Sequence, residues 1–269
     1  MKILDFEIRD HEVFAVSQVR FKKNGKNLES CSATGFFYKQ DDEFYFITNQ
    51  HVVIDEEKCF VPDEIILNLH KKIGKSGGFP IKLYDSSRRP LWLEHPKYHS
   101  DVDVVAIPVD KNRMTEFHIE PFSKDFCLPR NRYVSIGDDL LVVGYPLGIY
   151  DSSHNTPIIR SAIMASVYPL PFKDKCCFLI DSCLHKGTSG SPVLLKPSVV
   201  VRYNSGRADV IMDRHESFKR YLLGIHSEQF IPVDSVEYDP TNLNVIWYAK
   251  LIPEIIKGGY STCVTHVQW

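Results

Sequence analysis

The chain has 269 residues, 43% of them hydrophobic and 25% charged, with a formal net charge of −2. That length suffices for one large domain or two packed halves, each with its own core. The weak net charge gives no overall field favouring nucleic acid or an anionic membrane, and no apolar run approaches the roughly 18 residues that a spanning helix needs.

The opening "MKILDFEIRDHEVF" lacks an apolar stretch and a small-residue cleavage site, so no export leader is expected. Seven cysteines, two of them adjacent at Cys176 and Cys177, contain no C-x-x-C pair. Reduced thiols in the cytoplasm are therefore expected, and a structural zinc site is not. Along the chain, residues 11–21, 33–40, 43–54, 64–70, 103–109, 139–146, 158–169, 176–184, 191–195, 220–227 and 244–250 are rich in Val, Ile, Phe and Tyr. Gly, Pro, Asn, Asp and Ser punctuate them, which predicts short strands in an all-β barrel or sandwich. Long amphipathic crossovers are missing, so a parallel βαβ sheet fits poorly. The single predicted helix is short, at 252–257, and ends at Gly258-Gly259. The strand signal fades over 112–135, a connector between two β halves, and again over 196–220, an expected surface insertion. His95 and His99 have a tempting H-x3-H spacing. Pro96 argues against the helix that would align their rings, so two solvated loop histidines are expected and no metal.

The segment "CLHKGTSGSPVLL", Cys183 to Leu195, sets two glycines around a serine between apolar runs. A serine hydroxyl is a poor nucleophile at neutral pH; it needs a base, a group to orient that base, and donors for the oxyanion that forms. Glycine lets the backbone turn sharply enough for the amides of Gly187 and Ser189 to converge on one oxygen. A base is available in "FYFITNQHVV", which ends an apolar run with His51. A carboxylate stands at the head of "DVVAIPV", where Asp103 competes with Asp101 two residues earlier. The strand-head position favours Asp103. His51, Asp103 and Ser189 follow one of the known chain orders for a His-Asp-Ser set.

Four blocks now carry a resemblance. "SATGFFY…FYFITNQHVV", "DVVAIPV", "LIDSCLHKGTSGSPVL" and "YLLGIHSE" occur in the order found in trypsin-like, chymotrypsin-fold serine peptidases. The chain resembles most the bacterial branch containing the HtrA/Deg proteases, without their PDZ domain. The resemblance implies two packed antiparallel β-barrels with a short C-terminal helix. Residues 1–125 would carry His51 and Asp103, and residues 126–269 would carry Ser189. It implies a serine endopeptidase that uses no cofactor and acts through an acyl-enzyme. Gly187 and Ser189 would form the oxyanion hole. By motif position Cys183 would form the base of the substrate pocket, with Ser227 and Gln229 on its wall and His185 either touching the substrate or serving only the loop. That neutral lining suits small or medium apolar side chains. Asp181 matches a structural aspartate of the Deg motif.

Two departures stand out. Ser191 replaces the second glycine of the usual G-x-S-G-G-P, and Thr188 stands where secreted digestive enzymes carry the aspartate that receives a clipped N-terminus. Activation by clipping is therefore not expected. The expected partner is a protein or peptide substrate, with no nucleic acid or membrane; a regulatory protein partner is compatible. The rival reading is a catalytically idle peptide-binding module on the same fold.

Overall fold

The first half is built from hairpins whose turns are written in the sequence. The computed structural model describes residues 2–3, 6–7, 10–28, 31–72, 75–198, 200–202, 206–210, 220–231 and 241–260. Strands β1 (Val16–Lys23), β2 (Ala33–Gln40), β3 (Glu43–Thr48), β4 (Glu64–His70), β5 (Ser76–Lys82) and β6 (Val105–Val109) form one antiparallel sheet in the order β5-β4-β1-β2-β3-β6. Asp41 and Asp42, with φ of 50° and 67°, join β2 to β3, as a two-residue hairpin that follows strand twist requires. β2 has six consecutive buried residues, pointing alternately to its two faces, because both faces are covered. The sheet is a half-barrel. Its open side is spanned by an irregular segment, in which the amide of Leu91 bonds the carbonyl of Leu83 at 2.9 Å and Leu93 exchanges bonds of 2.8 and 3.1 Å with Ala106 on β6.

The second half is a closed six-stranded barrel. Strands β7 (Asp139–Gly144), β8 (Ile158–Met164), β9 (Cys177–Asp181), β10 (Pro192–Leu195), β11 (Tyr221–Gln229) and β12 (Leu243–Tyr248) run in the order β7-β8-β9-β12-β11-β10, and β10 pairs back onto β7. The all-β class with two antiparallel barrel-type sheets is therefore as the sequence and its resemblance implied, with the first sheet a half-barrel and only the second closed.

Three local expectations are corrected. The apolar run 43–54 is not one strand: after Thr48 it turns into helix α2 (Gln50–Val53). The run 11–21 begins as a helical turn, α1 (Glu12–Ala15), before β1 starts. β5 is absent from the predicted strands, because Gly77, Gly78 and Pro80 are poor strand formers; seven residue pairs with β4 hold it in the sheet. The connector region contains two 3-10 turns, Lys111–Met114 and Lys124–Phe126. Within the 196–220 insertion, Val200–Arg202 pairs with Ala208–Val210, while 199, 203–205 and 211–219 lie outside the described residues.

A shared core joins the halves. Phe36, Tyr38, Ile47 and Val104 from the first pack with Val143, Leu194, Leu222 and Ile225 from the second. Fully burying each such side chain contributes about 1.5–3 kcal/mol. Helix α3 (Leu251–Gly258), predicted at 252–257, inserts Leu251, Ile252 and Ile255 into this core beside Val102 and Val104. It therefore backs the backbone on both sides of Asp103. His95 is not a solvated loop residue: its ring is buried and Nε2 lies 3.0 Å from Glu254 of α3. His99 contacts the Tyr260 hydroxyl at 2.8 Å. Among the described residues no helix is long and apolar enough to cross a membrane.

Candidate active site

His51 enters the cleft between the halves from α2. Asn49 precedes that helix in extended conformation, and its side-chain amide donates to the Asp103 carbonyl at 2.7 Å, tying the helix start to the head of β6. The Asp103 carboxylate then meets His51 twice: Oδ1 accepts the backbone N–H at 3.0 Å, and Oδ2 lies 2.8 Å from Nδ1. A carboxylate only accepts, so the ring proton sits on Nδ1 and Nε2 keeps its lone pair. Of the two candidate aspartates, Asp103 faces the ring and Asp101 is exposed. Burial opposes charging of His51, but the hydrogen bond and charge of Asp103, aided by Glu228, outweigh it and raise its pKa above the ordinary value.

Ser189 sits between two glycines of positive φ, Gly187 at 95° and Gly190 at 84°. Both are required. A Cβ on Gly187 would stand 2.5 Å from the Tyr145 carbonyl oxygen, and one on Gly190 would run into the Thr34 carbonyl. The Thr34 hydroxyl donates to the Gly187 carbonyl at 2.7 Å, so a residue of the first half holds the serine loop of the second. Thr188 is buried and caps its own loop through bonds to the His185 carbonyl.

The loop amides divide by use. Those of Thr188, Gly190 and Ser191 bond the carbonyls of His185, His226 and Thr188. Those of Gly187 and Ser189 have no internal acceptor among the described residues. The Lys186 carbonyl accepts from Leu147 N–H at 2.6 Å. Across a trans peptide the Gly187 N–H points the opposite way, away from Leu147. Such an amide can donate to a developing oxyanion.

His51, Gly187 and Ser189 line one cleft of about 1130 Å³. Ser189 Oγ does not bond the imidazole. It donates to the Ser227 carbonyl at 3.0 Å, and the Ser227 hydroxyl donates to Asp103 Oδ2 at 2.5 Å. Ser227 thus links Ser189, Asp103 and His51 in one network. Its hydroxyl is buried against Asp103, a contact that the motif position does not announce. Cys183 is exposed, and its carbonyl accepts from Arg160 at 2.6 Å. His185 is exposed, and its carbonyl takes the Thr188 bonds. Gln229 closes β11 opposite Asn244. None of Cys183, His185, Ser227 and Gln229 lines the cleft that His51 and Ser189 share. Asp181 is exposed at the end of β9.

The family profile of trypsin-like peptidase domains matches residues 33–201, which spans the His51, Asp103 and Ser189 blocks. The chain belongs to this family. Among solved structures it is similar to the Rv3671c protease of M. tuberculosis in its inactive form, at 15% identity. One such structure has a TM-score of 0.47 and covers 91% of this chain and 88% of that one; a mutant form has 0.46, with 90% and 84% covered. It is also similar to the protease Anisep of Arthrobacter nicotinovorans, at 13% identity and a TM-score of 0.49, covering 88% of this chain and 90% of that one. No curated protein matches the sequence.

This trypsin-like domain carries two polar groups behind the serine that sequence reasoning gave no role. His226 on β11 is buried; its Nδ1 lies 3.0 Å from the Thr188 carbonyl and its Nε2 3.3 Å from Asn244 Oδ1. With its own amide and carbonyl bonded to Ser191 and Gly190, it grips the serine loop at three points. Burial pushes its pKa down to about 4, so the ring is neutral at pH 7. Ser191 Oγ is buried without a hydrogen-bond partner among the described residues, in space left by the missing side chain of Gly144. The legible signal is His226-Ser227, where the apolar run of β11 turns polar.

Proposed function

We propose that this trypsin-like domain is a serine endopeptidase. Ser189 attacks the scissile carbonyl, His51 Nε2 takes the serine proton and returns it to the leaving amine, and Asp103 holds the ring and stabilises the imidazolium. The Gly187 and Ser189 amides receive the oxyanion. An extended substrate adds as a strand along Ser227–Gln229, with Cys183, His185 and Gln229 flanking the acyl-side pocket and small or medium apolar side chains preferred. Residues 1–125 supply base and acid, and 126–269 supply the nucleophile. The observation that carries this reading is the double contact of Asp103 with His51, in a cleft that also exposes Ser189. The free thiols of Cys176, Cys177 and Cys183 are in keeping with a cytoplasmic setting.

A second reading, a peptide-binding module without turnover, is favoured by the Ser189 hydroxyl bonding the Ser227 carbonyl and not the base. Fluorophosphonate labelling distinguishes the two readings: the endopeptidase labels in the wild type and loses the label in Ser189→Ala. A wild type that takes no label sinks the enzyme reading.

A further inference from the structure

The cleft beside Ser189 is electrostatically one-sided. Arg20, Lys22, Lys58 and Lys186 line it, against a single lining carboxylate, Asp55. Asp55 is already bonded by Lys58 at 2.7 Å, and Lys22 lies 3.4 Å from Glu64. Arg20 and Lys186 are exposed and make no ion pair among the described residues. Lys186 immediately precedes Gly187, so its side chain stands next to the scissile bond of any bound peptide.

The side of the scissile bond follows from the chain directions. On the endopeptidase reading, the acyl half of a substrate runs along Ser227–Gln229, and neither Glu228 nor Gln229 lines this cleft. The cleft therefore lies across Ser189 from that strand and receives the leaving-group half. Glu228, whose charge reaches His51 from the acyl side, makes the contrast sharper: a negative group on one side of the bond and cations on the other. We propose that this cleft selects peptides carrying Asp or Glu in the first few residues after the scissile bond, through Arg20 and Lys186. The inference names a substrate class for the endopeptidase reading and rests on it.

The test uses three pools of internally quenched peptides, randomised on the acyl side and fixed on the leaving side to Asp-Glu, Ala-Ala or Lys-Arg. With exposed ion pairs at stake, the acidic pool should exceed the neutral one by about five-fold in kcat/KM. The margin should shrink as salt is added, and the basic pool should be the poorest. In the double variant Arg20→Glu with Lys186→Glu, the acidic-to-basic ratio should invert. A ratio taken within one preparation cancels any loss of folded protein. Equal rates on all three pools, by protein that labels at Ser189, overturn the proposal and leave the endopeptidase standing. An acidic preference unchanged in the double variant overturns it too. Absence of both labelling and cleavage removes the underlying reading and the proposal with it.

Discussion

Ser227 touches Ser189 with its carbonyl, at 3.0 Å, and Asp103 with its hydroxyl, at 2.5 Å. The two functions can be separated, because Ser227→Ala keeps the carbonyl and deletes only the donor to the acid. A hydrogen bond to a charged group contributes about 1.5–3 kcal/mol. Asp103 then holds His51 through fewer restraints, and kcat should fall by about ten-fold or more with KM little changed. Steady-state kinetics on one peptide check this. An unaltered kcat shows that Asp103 needs no third donor.

On the endopeptidase reading His51 must be neutral to act as a base, so activity should rise with pH through its pKa. The partnership with Asp103 and Glu228 raises that pKa against the effect of burial. The acid limb of kcat/KM should therefore be centred above about 6.5, the ordinary imidazole value. Glu228→Gln removes one of the charges holding the proton and should move the limb to lower pH. A pH–rate profile for both proteins provides the check; a limb that shifts upward in the variant contradicts the assignment.

His226 makes an opposite prediction. Burial holds its folded pKa down to about 4, whereas an unfolded histidine titrates at about 6.5. Between those values the unfolded chain binds the extra proton, so stability is whole above the upper value and drains away as pH falls toward the lower. The loss is on the order of 3 kcal/mol once pH is below both. His226→Asn keeps a donor for the Thr188 carbonyl and cannot titrate in this range. Urea unfolding at about pH 7 and about pH 4.5 should show a smaller pH-dependent loss in the variant than in the wild type. Equal losses mean that His226 is not the group responsible.

Much of this frame is legible from residues alone. The bounds of β2 and β4 match the predicted 33–40 and 64–70, because aromatic and branched runs there are cut by Asp41-Asp42 and by Asp63. What failed had physical reasons. Gln50–Val53 reads as strand because a short apolar run cannot be told from a helical turn by periodicity. β5 is held by its partner rather than by its own propensity. At the site, the pairing of Asp103 with His51 follows the motif blocks, yet no local pattern shows that the Ser227 hydroxyl joins them. Alternation along β11 puts His226 and Ser227 on opposite faces, but only the tertiary arrangement fixes which of those faces meets Asp103. The cations of the cleft come from β1, the loop after α2 and the serine loop, and no local pattern brings these together.

Ser191 and Gly144 form a size-matched pair whose energetics can be taken apart. The Ser191 hydroxyl is buried with no hydrogen-bond partner among the described residues, which costs about 1–3 kcal/mol for the desolvated group. Ser191→Ala should therefore raise stability, by about 1 kcal/mol after the lost packing is counted. Gly144→Ala should do the reverse, since its methyl would run into Ser191 Oγ and stand 2.9 Å from Thr34 Oγ1. Overpacking of this kind costs about 1–3 kcal/mol. Combining Gly144→Ala with Ser191→Gly frees the space held by the hydroxyl and should recover part of the loss, leaving only the contact with Thr34. Denaturant midpoints for the wild type, Gly144→Ala, Ser191→Gly and the double variant form a mutant cycle that isolates the coupling. If the double variant is as unstable as the two single changes added together, Ser191 does not occupy the space left by Gly144.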